Sequence, residues 1–393
     1  MSLNKSRWIL ISSFVVLSLL AASCAKPPVE EPPAPATEVA TEAPAEVVTE
    51  APATEAPATE APTEEPGKVE GKLVMLDWAG YELPEFWGDF AEKYPDVQVD
   101  FSFLTESAES YAKLQSGFEA DLVHPCSNYW KILVDEGLVQ EIDTSKLSNW
   151  PGVIESLAKQ GEFNGKQYWI PWDWGFESIL VRTDLVEEVP ESWADLWDAQ
   201  YAGHVSVFDS GETAHIITAL SLGMDPWTTT PEQDEQIKQK LLELAPNVIA
   251  YWGSQTDLDN MLAAGDAWVG AGAWNASYTS LLDQGYEVEY IDPTEGRAGY
   301  LCGFAIPTSS KNVELAHAMI DAYLAPESMA YLANEYGYGV ANGEALKLID
   351  PEMIKLLSLE DQDIISRTHF YQYITSEQRE AWTNVWSEVK TSQ

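Results

Sequence analysis

The composition of the chain changes abruptly near residue 68, and this boundary most constrains what the chain can fold into. Residues 25–67 consist almost entirely of Pro, Ala, Glu, Thr and Val, contain no aromatic residue, and repeat the unit Thr-Glu-Ala-Pro. Such a segment cannot bury enough apolar surface to offset the entropy of ordering it. Its spaced prolines favour an extended chain with a reach of roughly 130 Å. We expect a disordered spacer here, followed by a globular part at 68–393.

The N-terminus carries the features of a secretory signal. Lys5 and Arg7 precede an apolar run from Trp8 to Ala22, which is too short for a membrane span. Small residues lead directly to Cys24, an arrangement that resembles the lipobox of bacterial lipoproteins. The resemblance implies a signal peptide at 1–23, cleavage before Cys24, acylation of this cysteine, and a spacer at 24–67. An ordinary signal peptide with a chance cysteine is the alternative.

The globular part is large, aromatic and acidic. It holds all but one of the 16 tryptophans, and its length favours two domains. The net charge of the whole chain is −43, which argues against nucleic acid as a partner, because phosphates are bound by Lys and Arg. The charge permits a neutral or cationic ligand. Adaptation for solubility explains it equally well.

Strand and helix patterns alternate along the globular part, which predicts parallel sheets covered by helices. In such sheets ligands lie at the carboxyl ends of strands. Aromatic residues follow several predicted strands: Trp78 after 72–76, Trp274 after 268–273, and Trp172 and Trp174 after 168–170. Further predicted strands are 97–103, 121–123 and 300–306, and the predicted helices are 84–94, 111–118, 130–136, 258–264 and 313–324.

Motifs for catalysis, metals and cofactors are missing from the sequence. The five histidines form no ligand pair of the HExxH type, and the glycines form no phosphate-binding loop. Asp209-Ser210-Gly211 resembles half of an aspartic-protease site but has no second copy. Asp173 and Glu177 near a Trp-rich stretch suggest a glycosidase pair, although acid pairs are common in so acidic a chain. We therefore expect no enzyme, no metal and no cofactor.

Ordered stretches from Lys72 to Lys390 resemble the spermidine/putrescine-binding proteins of ABC importers. The matching stretches are Asp77-Trp78-Ala79-Gly80-Tyr81, Tyr111–Leu114, Glu136–Asp143, Ser145–Asn149, Ile170–Gly175, Ser192–Trp197, Trp274-Asn275, Ala305–Pro307 and Gly337-Tyr338. The resemblance implies a two-lobed, type II periplasmic-binding-protein-like α/β fold. Each lobe is then a mainly parallel sheet covered by helices, and the ligand lies in the cleft between the lobes. The implied lobes are 68–174 with 301–346 and 175–300 with 347–393.

The resemblance also implies which residues bind the ligand. Aromatic walls fall on Trp78, Tyr81, Trp274 and Tyr338, and Tyr300 takes the place of a family Trp. Aromatic faces hold methylenes and cationic groups by packing and cation–π attraction. The further implied site residues are Ser127, Asn128, which replaces a family Tyr, and Gln372, which matches a family ligand-contacting Gln. For each aromatic residue, simple core packing is the alternative.

The carboxylates that pair with polyamines in this family are replaced. Two of them fall on Ser210 and Thr213, and the third falls on Cys302. A buried ammonium group without its carboxylate loses several kcal/mol. We therefore expect spermidine and putrescine to bind weakly, and we expect a neutral solute or a compact cation instead. Candidate replacement acids are Asp209, Glu212, Asp173 and Glu177.

Cys126 and Cys302 are the two cysteines left once Cys24 is acylated. In an oxidising compartment an even thiol count usually indicates a bridge, and the resemblance places both residues in the first lobe beside the cleft. We predict a disulfide between them, with two buried free thiols as the alternative.

These observations leave three functions. The first is a membrane-tethered, extracytoplasmic solute-binding protein that captures a small molecule for an ABC permease and ATPase, expected to be a monomer. The second is a ligand-binding lipoprotein that serves a sensor or a scaffold. The third is a secreted hydrolase. The sequence does not identify the ligand.

Overall fold

The computed structural model describes residues 71–392. The predicted signal peptide, the predicted acylation site Cys24 and the predicted spacer lie outside the described residues. The strands are β1 Gly71–Trp78, β2 Val97–Leu104, β3 Leu122–Val123, β4 Val139–Gln140, β5 Glu162–Phe163, β6 Lys166–Gln167, β7 Ile170–Arg182, β8 Val205–Phe208, β9 Val248–Trp252, β10 Val269–Trp274, β11 Val288–Tyr290, β12 Ala298–Phe304, β13 Ile306–Pro307, β14 Gly339–Val340 and β15 His369–Phe370.

The helices lie between these strands along the chain. They are α1 Gly88–Lys93, α2 Ser107–Gln115, α3 Trp130–Asp135, α4 Glu155–Ala158, α5 Gly211–Ser221, α6 Pro231–Leu244, α7 Gln255–Ala264, α8 Asn275–Asp283, α9 Val313–Tyr323, α10 Pro326–Tyr336, α11 Pro351–Leu356, α12 Gln362–Arg367 and α13 Ser376–Thr391. No helix between residues 71 and 392 has both the length and the apolar composition that a membrane span requires.

One lobe is built on a small parallel sheet in the order β2-β1-β3. Its central strand, β1, buries Leu73, Met75 and Leu76. The pairing of Met75 with Leu122 and of Leu76 with Val123 places the residues that follow, Asp77 and His124, side by side at the carboxyl end of the sheet.

A second, larger sheet has the order β15-β12-β7-β10-β8-β9, and β11 and β14 also pair with β7. The strands β10, β8 and β9 are parallel, as predicted for the lobes. β7 is antiparallel to β10 and β12, however, so this sheet is mixed. The two-lobed α/β prediction is confirmed. The sheet is mixed because its central strand, β7, runs antiparallel to both of its neighbours, β10 and β12.

β7 is thirteen residues long, and every one of its residues is buried. Trp172 and Trp174 lie inside this strand, so their predicted position after a strand ending at Ile170 is wrong. A strand that is buried on both faces has no alternation of polar and apolar residues, and its start cannot be read from periodicity. The predicted lobe crossings at 174/175 and 300/301 fall within β7 and β12. The lobe boundaries themselves remain a prediction.

Two apolar clusters form the core. In the larger cluster, Trp172 packs edge-on against Tyr81, Phe86 and Tyr323, with ring centroids 4.8 to 5.3 Å apart. Aromatic pairs in this geometry add stability beyond the area that they bury. The tryptophans of β7 therefore support the sheet rather than line a cleft.

Most predicted helices and strands have counterparts with ends shifted by a few residues, but the helix predicted at 84–94 is divided. It consists of a 3-10 turn, Pro84–Phe86, followed by α1. Trp87 lies between them with a non-helical backbone, and its Nε1 donates a hydrogen bond to the carbonyl oxygen of Glu82. Gly88, which follows, disfavours a continuous helix.

Candidate functional site

A cavity of about 320 Å³ lies where β7, β10 and β12 meet. Trp274 is the last residue of β10 and is paired with Glu177 of β7. Tyr300 of β12 is paired with Gly175 on the other side of β7, and Tyr338 comes just before β14. The residues lining the cavity are Phe176, Glu177, Gln255, Trp274, Asn275, Ala276, Tyr300 and Tyr338. Three predicted wall residues, Trp274, Tyr300 and Tyr338, thus meet around one cavity.

Two glycines make this arrangement of rings possible. Gly272 has a φ of +74° and lies where the pairing of β10 with β7 shifts by one residue. A Cβ atom there would lie 2.9 Å from Cγ2 of Thr213. At Gly175, a Cβ atom would lie 2.5 Å from the hydroxyl of Tyr300. A side chain at either position would displace a residue of the site.

Trp274 is held at the cavity by two aromatic neighbours. Its ring meets those of Phe208 and Trp252 at close to a right angle, with centroids 5.3 Å apart in both cases. The rings of Tyr300 and Tyr338 also meet edge-on, 6.0 Å apart. Burial raises the pKa of both tyrosines above the ordinary value, so both hydroxyls stay protonated at neutral pH. The walls therefore offer aromatic surface and neutral hydroxyl groups.

Glu177 places a carboxyl group among these rings. Its side chain is 4% exposed, and Oε2 accepts hydrogen bonds from the hydroxyls of Tyr371 at 2.5 Å and Thr213 at 3.2 Å. Burial raises the pKa of Glu177 to about 7, against the lowering effect of these two hydrogen bonds. The carboxyl group thus changes its protonation state close to neutral pH.

Ser210 and Thr213 lie at the start of α5, and neither is among the residues that line this cavity. The hydroxyl of Ser210 caps the helix by accepting a hydrogen bond from the backbone N–H of Thr213. Thr213 is fully buried, and its hydroxyl contacts both Glu177 and Tyr371. The structure therefore brings Thr213 to the predicted site through Glu177.

Trp78 is the last residue of β1 and Tyr81 comes shortly after it, and neither is among the residues that line this cavity. Trp78 is half-buried, and its Nε1 donates to the carbonyl oxygen of His124 at 2.7 Å. Tyr81 is 7% exposed, and its hydroxyl donates to Oδ2 of Asp173 at 3.3 Å. Burial and the nearby Asp173 raise the pKa of Tyr81 well above its ordinary value.

A buried ion network beneath these residues was missed by the sequence reasoning. His124 lies between two buried carboxylates, with Nδ1 2.7 Å from Oδ1 of Asp77 and Nε2 3.0 Å from Oδ1 of Asp173. Burial lowers the pKa of His124, but the two carboxylates outweigh burial and raise it to about 9. The histidine is therefore a cation at neutral pH. Pairing of the predicted strand 72–76 with the predicted strand 121–123 in parallel would have placed Asp77 beside His124.

Ser127, Asn128 and Gln372 lie in a different place. Ser127 and Gln372 line a second cavity of about 250 Å³ together with Tyr371 and two lysines. The hydroxyl of Ser127 donates to the carbonyl oxygen of Tyr371. Oδ1 of Asn128 is buried and has no hydrogen-bond partner within residues 71–392. The predicted site residues are thus divided between two cavities and the core.

Cys126 and Cys302 form a disulfide, which confirms the predicted pairing. Their Cα atoms are 3.7 Å apart, and 176 positions separate them along the chain. Cys302 is 3% exposed and is paired with Asp173 of β7. The position where the resemblance places a third family carboxylate is thus occupied by a half-cystine whose sulfur is already bonded.

Within residues 71–392, no group of three His, Cys, Asp or Glu side chains is arranged to hold a metal ion. The chemistry of the cavity is that of a binding site, with rings, neutral hydroxyls, amides and one carboxyl group.

Comparisons with known proteins give a consistent family. The sequence profile of the bacterial extracellular solute-binding proteins matches residues 87–356. The spermidine/putrescine-binding periplasmic protein of Escherichia coli K12 is 30% identical over 284 residues, which cover 72% of this chain and 80% of that protein. The solved spermidine/putrescine transporter substrate-binding protein of Streptococcus pneumoniae is 24% identical, has a TM-score of 0.70, and covers 82% of this chain and 99% of its own. A Treponema pallidum lipoprotein has a TM-score of 0.65 at 21% identity, covering 81% of this chain and 99% of its own.

Proposed function

Because this chain belongs to the bacterial extracellular solute-binding proteins, we propose that it captures a small organic solute in the cavity between Trp274, Tyr300 and Tyr338. The chain is a solute-binding protein of an ABC importer, working with a permease and an ATPase, and it is not an enzyme. The observation that carries the proposed site is the meeting of three aromatic walls around one cavity on neighbouring strands.

The solute is neutral or cationic. No Lys or Arg is among the residues that line this cavity in the described part of the chain, so an anion would be desolvated without a counter-charge. Aromatic faces suit methylene groups and cationic ends. The relatives of Escherichia coli and Streptococcus pneumoniae are named for spermidine and putrescine, and the replacement of three acids by Ser210, Thr213 and Cys302 supports weaker binding of these polyamines here.

The protein works outside the cytoplasm, as its periplasmic relatives do. We propose that an acylated Cys24 holds it at a membrane and that residues 24–67 act as a tether. Diacyl or triacyl anchoring gives lasting attachment, whereas a single chain is marginal. A structural relative from Treponema pallidum is named a lipoprotein, which supports the same reading. We expect the tethered protein to be a monomer.

Mass spectrometry of the intact protein under native conditions tests the assigned cavity. We expect a solute to co-purify with the wild type and to be lost from Trp274→Ala, since a buried aromatic contact is often worth about 2 kcal/mol or more. Trp268→Ala is the matched control. Trp268 flanks the opposite end of β10 and stacks on His204 with centroids 3.6 Å apart, so this variant should retain the solute.

Equal retention of the solute by both tryptophan variants, each shown to be folded by circular dichroism, would place the binding site elsewhere. A polyamine as the retained solute would contradict the expected specificity but not the capture role.

A further inference from the structure

Glu177 is the one charged residue among those that line the aromatic cavity in the described part of the chain. The other lining groups are rings, amides and an alanine. A carboxylate with 4% exposure in such surroundings is costly to keep charged unless a cation pairs with it. A charged Glu177 therefore requires a cationic partner.

Three other acids near the site already have cationic partners. Asp209 pairs with Lys390, and Glu212 pairs with Arg379. Asp173 pairs with the protonated His124. These three were candidates to replace the missing polyamine carboxylates, and their partners leave them unsuited to bind an external cation.

Glu177 differs because its partners are neutral groups: the hydroxyls of Tyr371 and Thr213 and the indole N–H of Trp274. Oε2 accepts from Tyr371 and Thr213, and within residues 71–392 no Lys, Arg or His forms an ion pair with it. Thr213 stands where the resemblance places a family acid, so the carboxylate of Glu177 contacts the very side chain that replaced one. Where the resemblance places an acid on α5, this chain has Thr213, and the carboxyl group at the cavity belongs to Glu177 on β7.

We propose that Glu177 binds an ammonium group of the solute, and that the site selects a compact ligand with one cationic group and an uncharged polar remainder. This inference rests on the capture function proposed above and names its substrate class. The amide side chains of Gln255 and Asn275 line the same cavity. Oδ1 of Asn275 accepts from the backbone N–H of Phe176 and Nε2 of Gln255 donates to Asp259, which leaves Nδ2 of Asn275 and Oε1 of Gln255 to suit a neutral hydrogen-bonding group. A second ammonium group would find no second carboxylate there.

Binding of an ammonium group by Glu177 should depend on the protonation state of its carboxyl group, and therefore on pH. Its pKa is raised to about 7 by burial and, to a lesser degree, by the nearby Glu212. The other groups that face it are all neutral: the indole N–H of Trp274 and the hydroxyls of Thr213, Tyr371, Tyr300 and Tyr290. Arg379 is already paired with Glu212. A bound ammonium requires the carboxylate form, so affinity should fall by up to about tenfold per pH unit below about pH 7.

Three probes with the same four-carbon chain separate the possibilities: 4-aminobutan-1-ol, 1,4-butanediol and putrescine, which carry one, no and two ammonium groups. We expect calorimetry on the solute-free whole protein at pH 8 to show the aminoalcohol binding at least about tenfold more tightly than the diol. Putrescine should bind more weakly than the aminoalcohol, since its second charge is buried unpaired.

Glu177→Gln keeps an oxygen acceptor for Tyr371 and Thr213 but removes the charge. We expect it to reduce the preference for the aminoalcohol over the diol to less than about threefold and to remove the pH dependence. Glu289→Gln is the matched control, because Glu289 is exposed on β11, and its preference should equal that of the wild type.

Several results would overturn the proposal: equal binding of diol and aminoalcohol, tighter binding of putrescine, an unchanged preference in Glu177→Gln, or no binding of the aminoalcohol up to about 10 mM. The co-purifying solute separates this failure from that of the capture function. A solute that is lost from Trp274→Ala but retained by Glu177→Gln leaves the cavity assignment intact and removes the role of Glu177. A solute retained by both variants removes the cavity assignment itself.

Discussion

Whether a buried residue of this protein carries a charge depends on the partners of its side chain more than on its exposure to solvent. His124 is fully buried and yet cationic, because Asp77 and Asp173 flank it on both ring nitrogens. Glu177 is nearly as buried, and it has no cationic partner within residues 71–392. The cation and the carboxylates of the His124 network both belong to the chain, whereas Glu177 is a carboxyl group without a cation at a cavity.

The His124 network predicts a loss of stability at alkaline pH. The pKa of His124 is about 9 in the folded protein and about 6.5 when unfolded. The contribution to the free energy of unfolding is therefore complete below about pH 6.5 and disappears as the pH rises through about 9, a change on the order of 3 kcal/mol. Urea unfolding between these pH values measures it.

Asp77→Asn tests the cause of this shift. The amide keeps the shape of the side chain but removes the leading attraction that raises the pKa of His124, so the decline in stability should still begin near pH 6.5 but should be smaller and should end at a lower pH. Titration of the imidazole by NMR provides the direct comparison. A wild-type imidazole that titrates below pH 7 would show that burial outweighs the two carboxylates.

At the scale of elements, the sequence pattern located most strands but not the long central one. Trp78 and Trp274 were expected at the ends of strands, and they are the last residues of β1 and β10. Gly80 lies shortly after β1, and β10 ends where α8 begins at Asn275. No such boundary precedes Trp172 in β7, whose faces are both buried, and the strand end expected there does not exist.

The candidate site was predictable only in part, because some of its contacts join residues that are far apart in the sequence. The aromatic walls follow short-range signals and the family resemblance. Glu177 depends on Tyr371, which is 194 positions away along the chain, and no local spacing reports such a contact. Ser127 and Gln372 were expected in the same cleft as Trp274, but they line another cavity together. Sequence order does not determine which side of a loop faces which cavity.

The disulfide between Cys126 and Cys302 joins the loop after β3 to β12. Because it closes a loop of 176 positions, its removal should lower the free energy of unfolding by about 3–5 kcal/mol in the chain-entropy description. Urea unfolding of the Cys126→Ala/Cys302→Ala double variant, compared with the oxidised wild type, measures this loss. Wild type treated with dithiothreitol serves as the control that keeps the sequence unchanged.

An unchanged unfolding midpoint after reduction, with two free thiols detected by Ellman's reagent, would contradict a stabilising bridge. We expect solute binding to survive in the double variant, because neither cysteine is among the residues that line the aromatic cavity.

At the scale of the whole molecule, the predicted anchor decides where the protein works. Cys24→Ser removes the thiol that acylation requires, so we expect the protein to be released in soluble form or to remain uncleaved. Fractionation of cells followed by mass spectrometry of the N-terminus distinguishes the two. Ser23→Ala, which keeps a small residue before Cys24, should leave attachment unchanged. A correctly cleaved Cys24→Ser variant that stays with the membrane would refute the anchor.

Glu177, Trp274 and Tyr300 lie on three adjacent, hydrogen-bonded strands, β7, β10 and β12. Hydrogen bonds hold neighbouring strands at a nearly constant spacing, so these three side chains keep their relative positions whenever the lobes move. The arrangement that contacts a solute is then present before any closure, and differences in affinity between solutes should appear mainly in dissociation rates. Closure would mainly lengthen the residence time of whatever has been accepted, so variants that alter closure should change dissociation rates while leaving the ranking of solutes unaltered.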